Sequence, residues 1–268
     1  MAKSTQTSST LRTVAMFGAA VLVAAAALVY LNGSAGPDTS ELATLSQAMP
    51  GQARAALAGE DGAYDRLARN QQRLSTMRRQ LAGSVEGRAS DWQALEAGLQ
   101  SLTANRQVLE NAAGATVELK KAAAEGRIIA DQLLDRSGAT SIIEDSARRL
   151  DSINRTAAQV LLQPDAAEQI GFLNSQVAYL REVVNGLSGE ATTLDVRPLS
   201  EAGREQVVEP LADLVATMES AILALTADPE VIAGAAATQT QVTGASLRLL
   251  ESGVGESKAG ALPGFLAS

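Results

Sequence analysis

The chain has 268 residues, with 22 basic and 30 acidic side chains and a formal net charge of −8. It contains no histidine and no cysteine, which excludes disulfides, Cys/His zinc sites, a thiol nucleophile and a Ser-His-Asp triad. The acidic balance weighs against nucleic-acid binding, because phosphates are neutralised by clustered lysine and arginine. The scarcity of aromatic residues, at 3%, and the abundance of alanine and leucine favour α-helix.

The N-terminal region contains an apolar segment, residues 14–31, with no charged side chain. At about 1.5 Å per residue this segment approaches the roughly 30 Å thickness of a bilayer core, and Leu11 can extend it. We therefore predict a transmembrane helix over residues 11–31. A cleaved signal peptide is the alternative, since residues 33–35 (Gly-Ser-Ala) have the small-x-small pattern of a cleavage site. The apolar run is, however, longer than the usual h-region of roughly 7–15 residues.

The charges beside this segment predict its orientation. Lys3 and Arg12 lie in or before it, whereas the first acidic residue is Asp38. By the positive-inside rule, residues 1–10 are cytoplasmic and the chain after about residue 32 is exported. We therefore expect the protein in a bacterial inner membrane, with most of its length in the periplasm.

The exported part begins with two predicted helices. Asp38 and Glu41 have the spacing of a capping box and start the first helix. Pro50-Gly51 either kinks this helix or splits it, because proline removes a hydrogen-bond donor. A turn at residues 59–62 (Gly-Glu-Asp-Gly) follows. From Asp61 a second helix carries an apolar stripe and ends at Gly83-Ser84; the stripe consists of Tyr64, Leu67, Leu74, Met77 and Leu81.

Further helices follow in the same way. Ser90 caps a helix whose leucine seam can run past Gly114, and Ser137-Gly138 ends the next helix. We then predict a helix over 141–162, a helix that opens at Pro164-Asp165 and ends at Gly189, and a loop over 190–200. Helices over 201–226 and 229–253 complete the pattern. No window shows strand alternation, so the predicted fold class is all-α, a bundle of long helices.

A faint internal repeat suggests how the helices are grouped. Two heptad leucine triples lie 106 residues apart, and Ser46 and Ser152 keep the same shift; the triples are Leu67, Leu74, Leu81 and Leu173, Leu180, Leu187. A duplication predicts two tandem four-helix modules, over residues 38–137 and 140–254. Residues 255–268 form a tail without a pattern.

The sequence of residues 42–81 resembles the sensory region of PilJ-type receptors. These are the methyl-accepting chemotaxis receptors that control twitching motility by type IV pili. The resemblance rests on Leu45-Ser46-Gln47, on the alanine-rich run after it and on the turn Gly59-Glu60-Asp61. The sequences of residues 131–164 and from Gln169 onward are similar to the later part of the same family.

This resemblance implies a periplasmic helical sensor that forms a homodimer and binds a small ligand or a pilin subunit. It also implies a second membrane helix, a HAMP-type linker and a cytoplasmic coiled coil that signals through a coupling protein to a CheA-like kinase. No segment of this sequence matches those cytoplasmic parts. We therefore expect the chain to be the N-terminal portion of a longer receptor, in which residues 255–268 approach the second span.

The resemblance also indicates candidate ligand-binding residues. In relatives that sense small anions, arginines flank the Leu-Ser-Gln core, but the flanking residues here are Ala43 and Ala48. An anion site of that kind is therefore not expected. Ser46 and Gln47 keep hydrogen-bonding groups, and Arg54 is the nearest downstream arginine. These three residues are the candidates.

Catalysis is not expected, because no nucleophile with a neighbouring base can be recognised; no catalytic, metal or cofactor residue is predicted, and the protein is not expected to be an enzyme. An alternative to the receptor is a membrane-anchored helical interaction or scaffold protein of the cell envelope that is complete at Ser268.

Overall fold

The protein is all-α in a computed structural model that describes residues 37–80, 89–137 and 141–259. None of these residues lies in a β-strand, so the predicted fold class is confirmed. Eight longer helices within these residues are numbered below, and a short helical stretch from Glu201 to Val208 directly precedes the helix that begins at Glu209. The helices in chain order are α1 (Pro37–Leu57), α2 (Ala63–Gln80), α3 (Ala89–Ala104), α4 (Arg106–Ser137), α5 (Ser141–Ala157), α6 (Ala166–Ser188), α7 (Glu209–Leu225) and α8 (Pro229–Ala259).

Helices α1 and α2 form a hairpin with a tight turn. Gly59 and Gly62 have φ angles of 75° and 67°, in the left-handed region that glycine adopts without a steric penalty. The split considered at Pro50 does not occur, since α1 stays helical from Pro37 to Leu57 with the proline inside it. Because the turn is short and the two helices pack together, they run antiparallel.

Helices α3 and α4 form a nearly continuous rod. Only Asn105 separates them, and its N–H donates to the carbonyl of Ser101 at 3.2 Å. The N–H of Leu109 in turn donates to the carbonyl of Asn105 at 3.0 Å, so helical hydrogen bonding bridges the junction. At about 1.5 Å per residue, the rod has a contour length of about 70 Å.

Helices α7 and α8 form a second rod, which three non-helical residues interrupt. Ser200 caps a single α-helical turn, and residues Arg204–Val208 continue in a π-helical turn before α7 starts. Three residues separate α7 from α8, and the carboxylate of Asp228 accepts a hydrogen bond from the N–H of Val231 at 3.3 Å. The helices predicted over 201–226 and 229–253 are therefore present, and the second extends to Ala259.

Helices α5 and α6 form the second hairpin. Helix α5 ends at Ala157 instead of at 162, and turns lead into α6. The end predicted for α6 is found, because Gly189 has a φ of 91°. Arg149 joins the two helices: its guanidinium lies 3.8 Å from the ring centroid of Tyr179 and donates to Gln176 Oε1 at 2.7 Å.

Contacts of α3 establish the helix directions. Between α3 and α8, Arg248 Nε donates to Asp91 at 2.6 Å and Gln241 Nε2 donates to the carbonyl of Ala94 at 2.9 Å, which is an antiparallel order. Between α2 and α3, Arg78 pairs with Glu96 and Thr103 bonds Gln71, which is antiparallel too.

Two consecutive reversals, from α1 to α2 and from α2 to α3, make α1 parallel to α3. Helix α8 is therefore antiparallel to α1, against which it also packs directly. The start of α1 and the end of α8 consequently lie at the same end of the molecule.

Buried side chains form two cores. The first core joins α1, α2, α3 and α8, and includes Leu45, Met49, Leu57, Leu67, Leu74, Trp92, Leu95, Leu99, Val242 and Leu249. The second core joins α4, α5, α6 and α7, and includes Leu119, Leu150, Ile153, Leu173, Leu180, Val215, Met218 and Leu225.

Each core combines helices from both predicted modules. Helix α4 belongs to the first module, 38–137, but packs in the second core, whereas α8 belongs to 140–254 but completes the first. The boundary near 137–140 therefore does not separate the cores. The boundary fails to separate them because the rods α3–α4 and α7–α8 each pass from one core to the other.

No helix among the described residues is long and apolar enough to cross a membrane. The predicted span over 11–31, the predicted cytoplasmic residues 1–10 and Leu81 lie outside the described residues. Of the predicted tail, residues 255–259 extend α8, and the remainder also lies outside.

Candidate functional site

The three predicted ligand-binding residues lie on α1 but do not form one site. Ser46 is 0% exposed, whereas Gln47 and Arg54 are exposed to solvent. Gln47 and Arg54 are seven residues apart and share a helix face, about 10 Å apart along the axis. Ser46 is turned into the protein, so a ligand that touches Gln47 and Arg54 does not reach it in this arrangement.

Two polar groups of Ser46, its hydroxyl and its backbone carbonyl, lack the hydrogen bonds that are usual in a helix. Its hydroxyl has no hydrogen-bond partner within the described residues. Pro50, four residues later, has no N–H, so it cannot donate to the carbonyl of Ser46 as other helical residues would. The polar groups of Ser46 thus lie at a point of α1 with weak hydrogen bonding.

A first cleft lies between α1 and α2. It has a volume of about 540 Å³ and is lined by Glu41, Arg69, Asn70, Gln72, Arg73, Thr76 and Met77. Arg69 and Arg73 are one helical turn apart and exposed, which is typical of solvated arginines on a helix. Asn70 is held by a hydrogen bond to Gln52 Oε1 at 2.8 Å.

A second, smaller cleft lies where the α1–α2 turn meets the rod α3–α4, and we call it the junction cleft. Its volume is about 240 Å³. One wall is the turn, and the other is the first three turns of α4. The lining residues are Gly59, Glu60, Asp61, Gly62, Tyr64, Glu110, Ala113, Gly114 and Val117.

Small residues shape the junction cleft. A Cβ atom on Gly59 would lie 3.0 Å from the Cβ of Ala113, so the turn approaches α4 as closely as glycine permits. A Cβ atom on Gly114 would have no neighbour within 4 Å. Val117 contributes an apolar side chain that is 48% exposed. The α4 wall is therefore open and mainly apolar.

The charged groups of the junction cleft are acidic. Glu60, Asp61 and Glu110 line it, and no lysine or arginine does. Two arginines contact these carboxylates from outside the lining. Arg66 lies 3.9 Å from Glu60, and Arg106 donates to Glu110 at 2.8 Å.

Tyr64 lines the junction cleft and carries a buried hydroxyl. Its side chain is 3% exposed, and its hydroxyl has no hydrogen-bond partner within the described residues. Burial, and after it the negative charge of Glu110, raise the pKa of this hydroxyl far above its usual value of 10.0, while Arg106 opposes the shift. The Arg106 guanidinium also lies 5.7 Å from the centroid of the Tyr64 ring.

Sequence reasoning did not identify the junction cleft. Tyr64 fits an apolar stripe, and Glu60-Asp61 fits the acidic start of a helix. The available signals were the two glycines around these acids and Gly114 inside a helix, where glycine lowers helix stability. Among the described residues, no three acidic side chains are arranged to hold a metal ion.

Comparisons with known proteins do not assign the chain to a family. No protein-family model matches it. A search of curated proteins finds no significant match either.

Proposed function

We propose that this chain provides the periplasmic sensory region of a membrane-bound chemoreceptor of the PilJ type, which controls twitching motility. The observation that carries the proposal is the antiparallel packing of α1 against α8. It brings the start of the first described helix and the end of the last one to the same end of the molecule. The sequence resemblance of residues 42–81 supports it as well.

This geometry suits attachment to one membrane. The apolar segment 14–31 precedes α1 by only five residues, so the start of α1 would lie near the bilayer surface. A chain that continued after α8 would approach the same surface. Both cores would then extend away from the membrane, with the second core farther out.

The packing of α1 and α8 also suits signalling by small shifts. Both helices bury small side chains: Ala53 and Ala56 in α1, and Ala235 and Ala245 in α8. Small side chains let helices approach closely, and packed helices can slide by small shear movements. A ligand that binds one packing better than the other would shift the population toward it.

The receptor proposal includes its partners. The receptor would act as a homodimer that senses a small ligand or a pilin subunit. It would signal through a coupling protein to a CheA-like kinase, by way of cytoplasmic sequence outside this chain.

The location can be tested by cysteine labelling, because the chain has no cysteine of its own. We expect a membrane-impermeant maleimide to label Ser175→Cys, an exposed site on α6, once the outer membrane is made permeable. The control variant Ser4→Cys should react only after lysis. Labelling of Ser4→Cys but not Ser175→Cys in intact inner membranes would contradict the proposed orientation.

The receptor class can be tested on the coding DNA beyond codon 268. A second apolar span followed by heptad-rich sequence is the expected result. A stop codon directly after Ser268 would refute the receptor and leave the anchored scaffold protein as the better description.

A further inference from the structure

We propose that the cleft between α1 and α2, which we call the α1–α2 cleft, binds a short peptide of two or three residues by its two charged termini. The volume of about 540 Å³ is within the roughly 300–1,000 Å³ of small-molecule sites. The charged residues of the lining are Arg69 and Arg73 on α2 and Glu41 on α1. The ligand class rests on the proposed receptor only for its link to signalling.

Two arginines without a partner form the positive end of the α1–α2 cleft. Exposed arginines on a helix are commonly solvated, but Arg66 and Arg78, on either side of this pair, each contact a glutamate. Arg69 and Arg73 have neither an ion pair nor a hydrogen bond within the described residues. Because they are four residues apart, they lie on one face of α2, and both guanidinium groups can donate to the same carboxylate.

Glu41 gives the cleft a negative end. It is exposed and lines the same cleft, yet among the described residues it pairs with neither arginine. A hydrogen bond of 2.8 Å sets Asn70 opposite Gln52, and Glu41 precedes Gln52 by eleven residues. Because α1 and α2 run antiparallel, the Glu41 backbone lies about 12 Å beyond that of Arg73 along the helices. Opposite charges that share a cleft without meeting leave room for a molecule that carries both.

The distance between the charges selects a peptide over a single amino acid. In an α-amino acid, one carbon carries both charged groups, so they cannot reach the two ends of the cleft together. Each residue of an extended peptide adds up to about 3.3–3.6 Å between its termini. Two or three residues therefore span the gap that remains between Arg73 and Glu41 after their side chains have extended toward each other.

Uncharged side chains of the lining suit the peptide bonds. The side-chain amide of Gln72 has no hydrogen bond within the described residues, so it can donate to a peptide carbonyl and accept from a peptide N–H. Thr76 lies between Arg73 and Glu41 along the helices. Its hydroxyl donates to the carbonyl of Gln72 at 3.0 Å, and its oxygen can still accept a peptide N–H.

Occupancy of the α1–α2 cleft would act on the helix that follows the proposed membrane anchor. Glu41 belongs to the second turn of α1, whereas the arginines belong to α2. A peptide that contacts both would hold the start of α1 against α2. In the receptor, this would favour one packing of α1 against α8.

Isothermal titration calorimetry of the full chain in detergent micelles tests the ligand class. The probes are dialanine and trialanine. The N-acetyl form of each peptide lacks the ammonium group, the amide form lacks the carboxylate, and alanine lacks the separation of the charges. A fourth control, 6-aminohexanoate, keeps two separated charges but has no peptide bond.

We expect saturable binding of at least one of the two peptides, and binding weaker by about threefold or more for every control. The proposal would be overturned if neither peptide bound at millimolar concentration. It would also be overturned if any control bound within about threefold of the better peptide.

Variants assign each terminus to its end of the cleft. Arg69→Gln and Arg73→Gln should each weaken the better peptide by about threefold to tenfold, but should leave the affinity for its amide form unchanged. Glu41→Gln should weaken the peptide to a similar degree and leave the affinity for its N-acetyl form unchanged. A loss of structure would instead lower the affinity for all forms alike, and such a result would contradict the assignment.

The matched controls are Arg155→Gln, an exposed arginine of α5, and Glu125→Gln, an exposed carboxylate of α4. Both should bind the peptide like the unmodified chain. If they weaken binding as much as the cleft variants, the peptide binds elsewhere and the proposal is wrong. The labelling and coding-DNA tests do not depend on peptides, so the receptor and the ligand class can fail separately.

Discussion

The close approach of α3 and α8 at Gly98 leads to a quantitative prediction. A Cβ atom on Gly98 would lie 2.7 Å from Val242 Cγ2, closer than carbon atoms approach without a shift. The valine cannot easily turn away, because its branched Cβ leaves few allowed rotamers. Replacing glycine by alanine inside a helix adds about 1 kcal/mol of stability. Overpacking removes about 1–3 kcal/mol, so Gly98→Ala should lower the free energy of unfolding by up to about 2 kcal/mol.

A matched variant isolates the contact. Gly234 lies in α8 with nothing within 4 Å of its Cβ position, so Gly234→Ala should gain about 1 kcal/mol from helix propensity alone. Urea unfolding of the full chain can follow Trp92, which is the single tryptophan and is fully buried in the first core. Adding Val242→Ala to Gly98→Ala should remove the clash and give a favourable coupling energy. Equal stability of Gly98→Ala and Gly234→Ala would refute this account of the α3–α8 contact.

Four further predictions concern single side chains. Trp92→Ala should cost about 3–5 kcal/mol in thermal or urea unfolding followed by circular dichroism, because the side chain is 0% exposed in the first core. Ser46→Ala should be neutral or stabilise by up to about 1 kcal/mol, whereas Ser146→Ala, whose hydroxyl donates to Ile142 O at 2.8 Å, should destabilise. Gly189→Ala should cost about 1 kcal/mol in the same assay, since its φ of 91° is strained for alanine. Because folding raises the pKa of Tyr64, stability should fall as the pH rises above the usual value of 10.0, and Tyr64→Phe should reduce this loss in melts at different pH.

Local signals in the sequence were sufficient for most helix ends. Gly189 and Pro229 mark the end of α6 and the start of α8, because glycine adopts the left-handed φ of a helix end and proline is tolerated in the first helical turn. Asn105 and the π-helical turn at Arg204–Val208 carry no comparable residue signal. Hydrogen bonds with neighbouring turns and packing against other helices determine those breaks, and neither can be read from a short window.

Helix pairing was beyond local reasoning. The apolar stripe that contains Leu95 and Leu99 could pack against the apolar stripe of any other helix. Its partner residue Val242 lies more than 140 positions away in the sequence. The duplication inferred from the 106-residue leucine shift stays a prediction. Its two triples begin in α2 and α6, and each of these is the second helix of a hairpin that packs on the rods.

The candidate site shows the same limit. Ser46 was selected for its polarity, but its burial depends on which side of α1 meets the first core. The junction cleft needs the turn at residues 59–62 to contact α4 about fifty positions later. Tyr64 and Gly114 acquire their chemical interest only through that contact, since each alone is compatible with an ordinary helix.

The two rods also set the order in which the protein can fold as its chain is synthesised. Helices α4 to α7 are contiguous in sequence, so the second core can close as soon as α7 emerges. The first core waits for α8, whose contacts with α3 join residues separated by 147 and 157 positions. Until α8 is present, an unfinished chain exposes the apolar side chains of the first core that pack against α8, such as Leu45, Trp92 and Leu99. Nascent copies are therefore most vulnerable to aggregation and proteolysis in the interval between synthesis of α3 and arrival of α8.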